Sequence, residues 1–207
     1  MNIERLELFP TVVWCIDAPE DLSDIWEAPL MTAIQSKLLP AQLPEHHQTD
    51  STLHKIPEIK KFVDWLKITV QAQVNGLGWQ VEDVDISGMW ATRLSSGATH
   101  PMHNHPNSWM SGVYYPTQYP GHDGELMIYD PRPAASMFVP NKMPGASNRH
   151  LSNTFSFRSQ KGRMVLFPSY LWHGVHTIKS DCRWSMSFDI LPKGMLGKSG
   201  VENRVIL

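Results

Sequence analysis

Two hydrophobic periodicities divide this chain. From Asp21 to Leu39 the apolar positions Leu22, Ile25, Trp26, Leu30, Ile34 and Leu38 recur at helical spacing, with Pro29 expected to kink or bound the helix because proline lacks an amide hydrogen. From Ile56 to Leu77 a second stripe places Ile59, Phe62, Val63, Leu66, Val70 and Val74 on one face, closed by the glycines at 76 and 78. Between them the polar, proline-containing stretch 40–55 reads as a loop. After Trp79 the pattern changes to short runs punctuated by Gly, Pro, Asn and Ser. The candidate strands are 84–94, 102–106, 111–116, 125–130, 154–158, 163–168, 174–178 and 183–190. Short strands at this spacing predict a sandwich, jelly roll or barrel rather than an alternating βαβ layout.

The expected organisation is one domain over 1–207. Residues 1–80 form helical support, 81–192 the β core and 193–207 an extended tail. The stretch 130–153, rich in Pro and Asn, is too long for a simple connection and suits a lid or a substrate-selecting wall.

Composition narrows the function classes. The 207 residues are 42% hydrophobic, enough for a substantial core, and no run approaches the roughly 18 apolar residues of a membrane span. Charges appear almost at once after Met1 with no signal-peptide pattern, so a cytoplasmic setting is expected. Cys15 and Cys182 have apolar or aromatic neighbours, which predicts buried, reduced thiols. Lys plus Arg (18) nearly balance Asp plus Glu (20), and no basic cluster interleaves with aromatics, which argues against a nucleic-acid partner. A small-molecule, amino-acid or peptide substrate fits better.

Chemistry concentrates in the second half. His103 and His105 stand at i and i+2 on an extended segment, so their imidazoles share a face and can share a metal ion. His173 follows the run 163–168. Arg183 lies ten residues further on and opens an alternating strand with Arg183, Ser185, Ser187 and Asp189 on one side. A fixed cation near a metal suits an anionic co-substrate. The other histidines have blander readings. His46, His47, His54, His122, His150 and His176 read as surface or hydrogen-bonded residues, and the odd spacing of His100 from His103 turns it to the opposite strand face. Trp14, Trp26, Trp65, Trp79 and Trp90 read as core. Trp109 and Trp172 flank the histidine motifs and suit pocket walls, and Arg132 suits a substrate anchor at the barrel mouth.

Several motifs in order, H-x-H-P-N-S-x-x-S-G-V-Y-Y (103–115), G-x-L-x-I-x-D-P-R (124–132) and L-F-P-S-x-L-x-H-G-V (166–175) followed by R-x-S (183–185), carry a family likeness. Over roughly residues 85–192 the chain resembles the 2-oxoglutarate- and iron(II)-dependent oxygenases, within them a prolyl-hydroxylase-like branch of small bacterial and phage proteins. The resemblance implies a mainly β fold, a double-stranded β-helix or cupin-like jelly roll of eight core strands, and the two N-terminal helices read from periodicity are expected to pack on it. It implies Fe(II) held by His103, His105 and His173, and 2-oxoglutarate bound by Arg183 with help from Ser185 and from Tyr115 or Tyr114. The implied reaction is hydroxylation of a small molecule or amino-acid side chain, with release of succinate and CO2.

One position departs from the superfamily pattern, in which the second ligand is usually Asp or Glu; here it is His105. The three-histidine set stands first, because imidazole is a strong ligand and the spacing needs no rearrangement. Two other sets remain open, one pairing His105 with Asn107 and one recruiting Asp130 or Asp123 from across the barrel. Asn107 also suits the substrate pocket. Two competing functions remain beside the oxygenase: a cupin-like metalloprotein of other chemistry, and a non-catalytic jelly-roll binding protein with a degenerate metal site. Exposed sheet edges leave room for a homodimer.

Overall fold

The computed structural model describes residues 3–4, 6, 8–41, 43–79, 81–119, 123–132, 137, 141, 143–145, 152–179, 182–196 and 205–206. In chain order these form β1 (Trp14–Asp17), α1 (Glu20–Lys37), β2 (His46–Gln48), two 3-10 turns (Leu53–Lys55 and Pro57–Ile59) and α2 (Lys60–Gly76). Then come β3 (Asp83–Leu94), β4 (His100–His103), β5 (Met110–Tyr114), β6 (Leu126–Tyr129), β7 (Thr154–Phe157), β8 (Arg163–Pro168), β9 (His173–Val175) and β10 (Arg183–Lys193). A short pair, β11 (Met195–Leu196) with β12 (Val205–Ile206), ends the chain.

The strands from β3 to β10 distribute between two antiparallel sheets. One has the order β1-β8-β5-β10-β3-β2 and the other β4-β9-β6-β7, the layout of a jelly roll. Alternation along each strand sorts side chains to the inside of the roll or to the outer face. On β10, Met186, Phe188 and Ile190 join Met89, Ala91, Tyr114, Met164 and Leu166 on the outer face, where α1 and α2 cover them with Trp26, Leu30, Ile34, Phe62, Leu66, Val70 and Val74. Burying each such large apolar side chain contributes about 1.5–3 kcal/mol, which explains why helices of modest intrinsic stability form here. A second cluster fills the roll itself with Val113, Tyr115, Leu126, Ile128, Val165, Phe167 and Leu171. The ring of Phe188 lies over its cross-strand partner Gly112 on β5, and only glycine leaves room for it. A Cβ there would lie 2.2 Å from Cζ of Phe188.

Several expectations change. Pro29 sits inside α1, which continues through it to Lys37, with Glu20 and Asp21 in the first turn and Lys37 in the last to suit the helix dipole. Ile25 is exposed, because the buried stripe runs through Trp26, Leu30, Ala33 and Ile34. The stretch 40–55 is more than a loop: His46–Gln48 pairs with Leu94–Thr92 and extends the larger sheet, a non-local pairing that its polar composition conceals. Trp79 is exposed, and Trp90 faces the roll interior rather than the helix-covered core. Cys15 is exposed on the outward side of the edge strand β1, and Cys182 is half-buried with its sulfur 3.2 Å from Nε of Arg93. Both are free thiols. Most of the 130–153 segment, with His122, His150 and much of the tail, lies outside the described residues. No helix among the described residues is long and apolar enough to cross a membrane.

Candidate metal and co-substrate site

The short strands β4 and β9 bring two histidines face to face. His103 and His173 are direct cross-strand partners, and their ring centroids lie 4.3 Å apart. His105 follows β4 and is anchored by its amide, which donates to the Ser169 carbonyl at 3.0 Å. Its ring lies 5.1 Å from that of His103 and 5.0 Å from that of His173. One ligand atom from each of the three lies within 4.8 Å of the others, close enough to hold one metal ion. His173 is buried, whereas His103 and His105 are half-buried.

Hydrogen bonds on the far side of each ring settle which nitrogen is free. Nδ1 of His103 donates to the Pro101 carbonyl at 2.8 Å, and Nδ1 of His173 donates to the Leu171 carbonyl at 2.9 Å. Nδ1 of His105 donates to Oδ1 of Asp189 at 2.6 Å. A carbonyl or carboxylate oxygen can only accept, so Nδ1 carries the proton and each Nε2 keeps a lone pair for a metal. Burial pushes the His173 imidazole down to about 4 and lowers His103 as well, so both stay neutral near pH 7.

Asp189 belongs to a polar chain inside the roll. Its Oδ1 also accepts from the Ser111 hydroxyl at 2.6 Å, and the Ser169 hydroxyl lies 2.7 Å from that of Ser111 and 2.9 Å from that of Ser108. Trp90 covers the other side of His105, with 5.4 Å between ring centroids.

Six residues earlier on the same face of β10, Arg183 is 2% exposed. Its Nε donates to Ser159 at 2.7 Å, one terminal nitrogen to Ser185 at 3.3 Å and the other to the Tyr115 hydroxyl at 3.1 Å. The guanidinium also lies 5.0 Å from the centre of the Tyr115 ring. Every acceptor is a neutral hydroxyl. Among the described residues no carboxylate pairs with this buried cation. Burying an uncompensated charge is costly, so an arginine so placed is prepared for an anion.

Other sequence candidates lie apart from the histidine cluster. Tyr114 points to the helix-covered core, 4.7 Å from the Phe62 ring, so of the two tyrosines it is Tyr115 that reaches Arg183. Trp109 packs against that same core, and Trp172 is half exposed. Asn107 occupies an exposed turn at φ 62°. Arg132 is exposed and gripped by the Asp130 carboxylate at 2.9 and 2.6 Å, beside a separate groove lined by Phe9, Val13, Tyr129 and Phe155. Asp123 accepts from the Tyr119 hydroxyl and, at 2.5 Å, from the Lys179 amide. Among the described residues neither aspartate belongs to the histidine cluster.

Three features escape sequence reading. The β4 register slips between His100 and His103, so His100 stacks on His103 at 4.7 Å instead of facing away. Burial, with His103, His46 and Arg183 nearby, pushes the His100 imidazole down to about 2. His46, Gln48, His100 and His103 line a cavity of about 260 Å³, in which both ring nitrogens of His46 are buried without a hydrogen-bond partner among the described residues. Ser159 has no signal in the sequence. Asp189 did carry one, its even spacing from Arg183, although alternation alone gives it a face and no partner.

Comparisons with known proteins agree with this architecture. Residues 88–189 match the family described as "Putative 2OG-Fe(II) oxygenase". No curated protein sequence matches the chain. Among solved structures, a prolyl-4-hydroxylase from Pseudomonas putida aligns with TM-score 0.62 and 16% identity over 89% of this chain and 94% of that one. HygX from Streptomyces hygroscopicus, solved with nickel, 2-oxoglutarate and hygromycin B, gives 0.60 and 14% over 88% and 83%. A Trichoplax adhaerens prolyl hydroxylase bound to a hypoxia-inducible-factor peptide fragment gives 0.59 and 13% over 86% and 83%. At these identities the likeness establishes the double-stranded β-helix fold. The matched span, just under half of the chain, contains all three histidines able to hold iron, and over it the chain is similar to the 2-oxoglutarate- and Fe(II)-dependent oxygenases.

Proposed function

We propose that the protein is a dioxygenase that couples 2-oxoglutarate decarboxylation to hydroxylation of a small molecule or amino-acid side chain, releasing succinate and CO2. The observation that carries this reading is Arg183. A buried guanidinium satisfied, among the described residues, only by hydroxyls, inside the same roll as three convergent imidazoles, matches what a dicarboxylate co-substrate requires.

The residues present fit the metal. His103, His105 and His173 would hold Fe(II) through Nε2, since each Nδ1 is already committed. When bound, the iron supplies the redox chemistry with O2 that no side chain of this protein can perform. The chain's own contributions are binding and orientation. Arg183, steadied by Tyr115, Ser159 and Ser185, anchors the far carboxylate of 2-oxoglutarate. Val113, Leu126, Ile128 and Phe167 line the neighbouring interior with apolar surface, which disfavours water there.

Anaerobic titration with Fe(II) and then 2-oxoglutarate tests the proposal. A visible charge-transfer band at one equivalent of each, with succinate formed on admitting O2, is the expected result. Absence of both band and succinate would overturn it.

A further inference from the structure

The ligand set has three neutral imidazoles where the superfamily pattern has two and a carboxylate, so it lacks a negative charge. The structure supplies that charge one bond further out. Asp189 lies 2.6 Å from the Nδ1 of His105, the residue standing at the usual carboxylate position. Building on the oxygenase reading, we propose that Asp189 is a positioning residue of the metal site. It fixes the tautomer and ring plane of His105 and lends that imidazole the anionic character a directly bound carboxylate would give.

Three observations support this role. The contact is short and joins residues 84 apart in sequence, so the fold itself brings them together. Among the three imidazoles only His105 has an anionic acceptor; the other two donate to backbone carbonyls. The carboxylate is itself held, with Ser111 donating to the same oxygen and connected through Ser169 to Ser108. Both donors engage Oδ1, the oxygen that faces the imidazole, so the influence of this carboxylate on the site passes through His105. Hydrogen bonding of this kind raises the basicity of a histidine ligand, and its loss typically weakens metal binding by about 10–100-fold.

The arrangement also predicts that histidine and aspartate are not exchangeable at position 105 alone. His105→Asp would set two carboxylates side by side, and like charges at such a distance disfavour joint ionisation. Removing the charge behind it should restore the usual pattern.

The test measures Co(II) or anaerobic Fe(II) affinity of the full-length protein by titration calorimetry, with thermal melts of the metal-free forms as a folding control. Asp189→Asn keeps an acceptor and removes the charge, whereas Asp189→Ala removes both. The expected loss is about tenfold for the first and about 100-fold for the second. Combined with His105→Ala, Asp189→Asn should cause no further loss, because the effect runs through the imidazole. His105→Asp should bind metal poorly, and His105→Asp with Asp189→Asn should bind better than His105→Asp alone. A downfield proton resonance from His105 Nδ1–H, present in the metal-free wild type and moved upfield in Asp189→Asn, reports the contact without any metal. Ser111→Ala serves if the Asp189 variants fail to fold, with a smaller loss of affinity expected. Wild-type binding of one metal per chain with Asp189→Asn within threefold would overturn the role of Asp189 and leave the oxygenase reading standing. A wild type that binds no metal would overturn both.

Discussion

The two ends of one face of β10 handle charge in opposite ways. At Asp189 an anion meets the His105 imidazole and the Ser111 hydroxyl within the protein, so it already has its partners there. At Arg183 a cation, more deeply buried, is met among the described residues only by the hydroxyls of Tyr115, Ser159 and Ser185. The lesson concerns what each end is for. A paired charge shapes a permanent part of the site, whereas an unpaired one holds free energy in reserve for a ligand that brings its own countercharge.

The strongest way to break this comparison is at the metal end. His173→Ala removes the most buried of the three imidazoles, and metal content measured after desalting should fall by at least about 100-fold. At the other end, Arg183→Ala should leave metal content nearly intact and raise the 2-oxoglutarate concentration needed for half-saturation on the order of 100-fold, the scale of losing one partner of a buried charge pair. Equal loss of metal in both variants would show that the two ends are not separate.

A pH experiment sharpens the same contrast. The folded protein holds His173 neutral down to about 4, while the unfolded chain takes up that proton near 6.5. Stability from this group is therefore complete above pH 6.5 and is lost as the pH falls toward 4. Melting temperatures of the metal-free protein should decline across that window, and the decline should be shallower in His173→Ala. The smallest expected effect belongs to Tyr115→Phe, which removes one hydrogen bond to Arg183. It should weaken 2-oxoglutarate binding by about 3–10-fold, in keeping with about 1 kcal/mol for such a bond, and leave metal affinity unchanged.

How much of this could be read from residues alone follows from whether the cause was local. Alternation along 183–190 assigned Arg183, Ser185 and Asp189 to one face, and burial of Met186, Phe188 and Ile190 against the helices follows the same rule. The helical stripes were legible because each turn of α2 repeats the same demand for an apolar neighbour. Pairing and register were not legible. His46–Gln48 becomes a strand only because β3 offers an edge, and His100 shares a face with His103 only because β4 slips against β9. The contact between Asp189 and His105 spans 84 positions, beyond any local pattern.

The direct pairing of His103 with His173 also bears on how such a chain can change over generations. Their separation is set by the spacing between two hydrogen-bonded strands, so the loops that connect the intervening strands can gain or lose residues without moving either ring. A single insertion within 100–103 or 173–175 has the opposite outcome. It turns one imidazole to the far side of its strand and abolishes the site in one step. Variation in what the protein accepts can thus accumulate in the connections, while the few residues of β4 and β9 tolerate almost none.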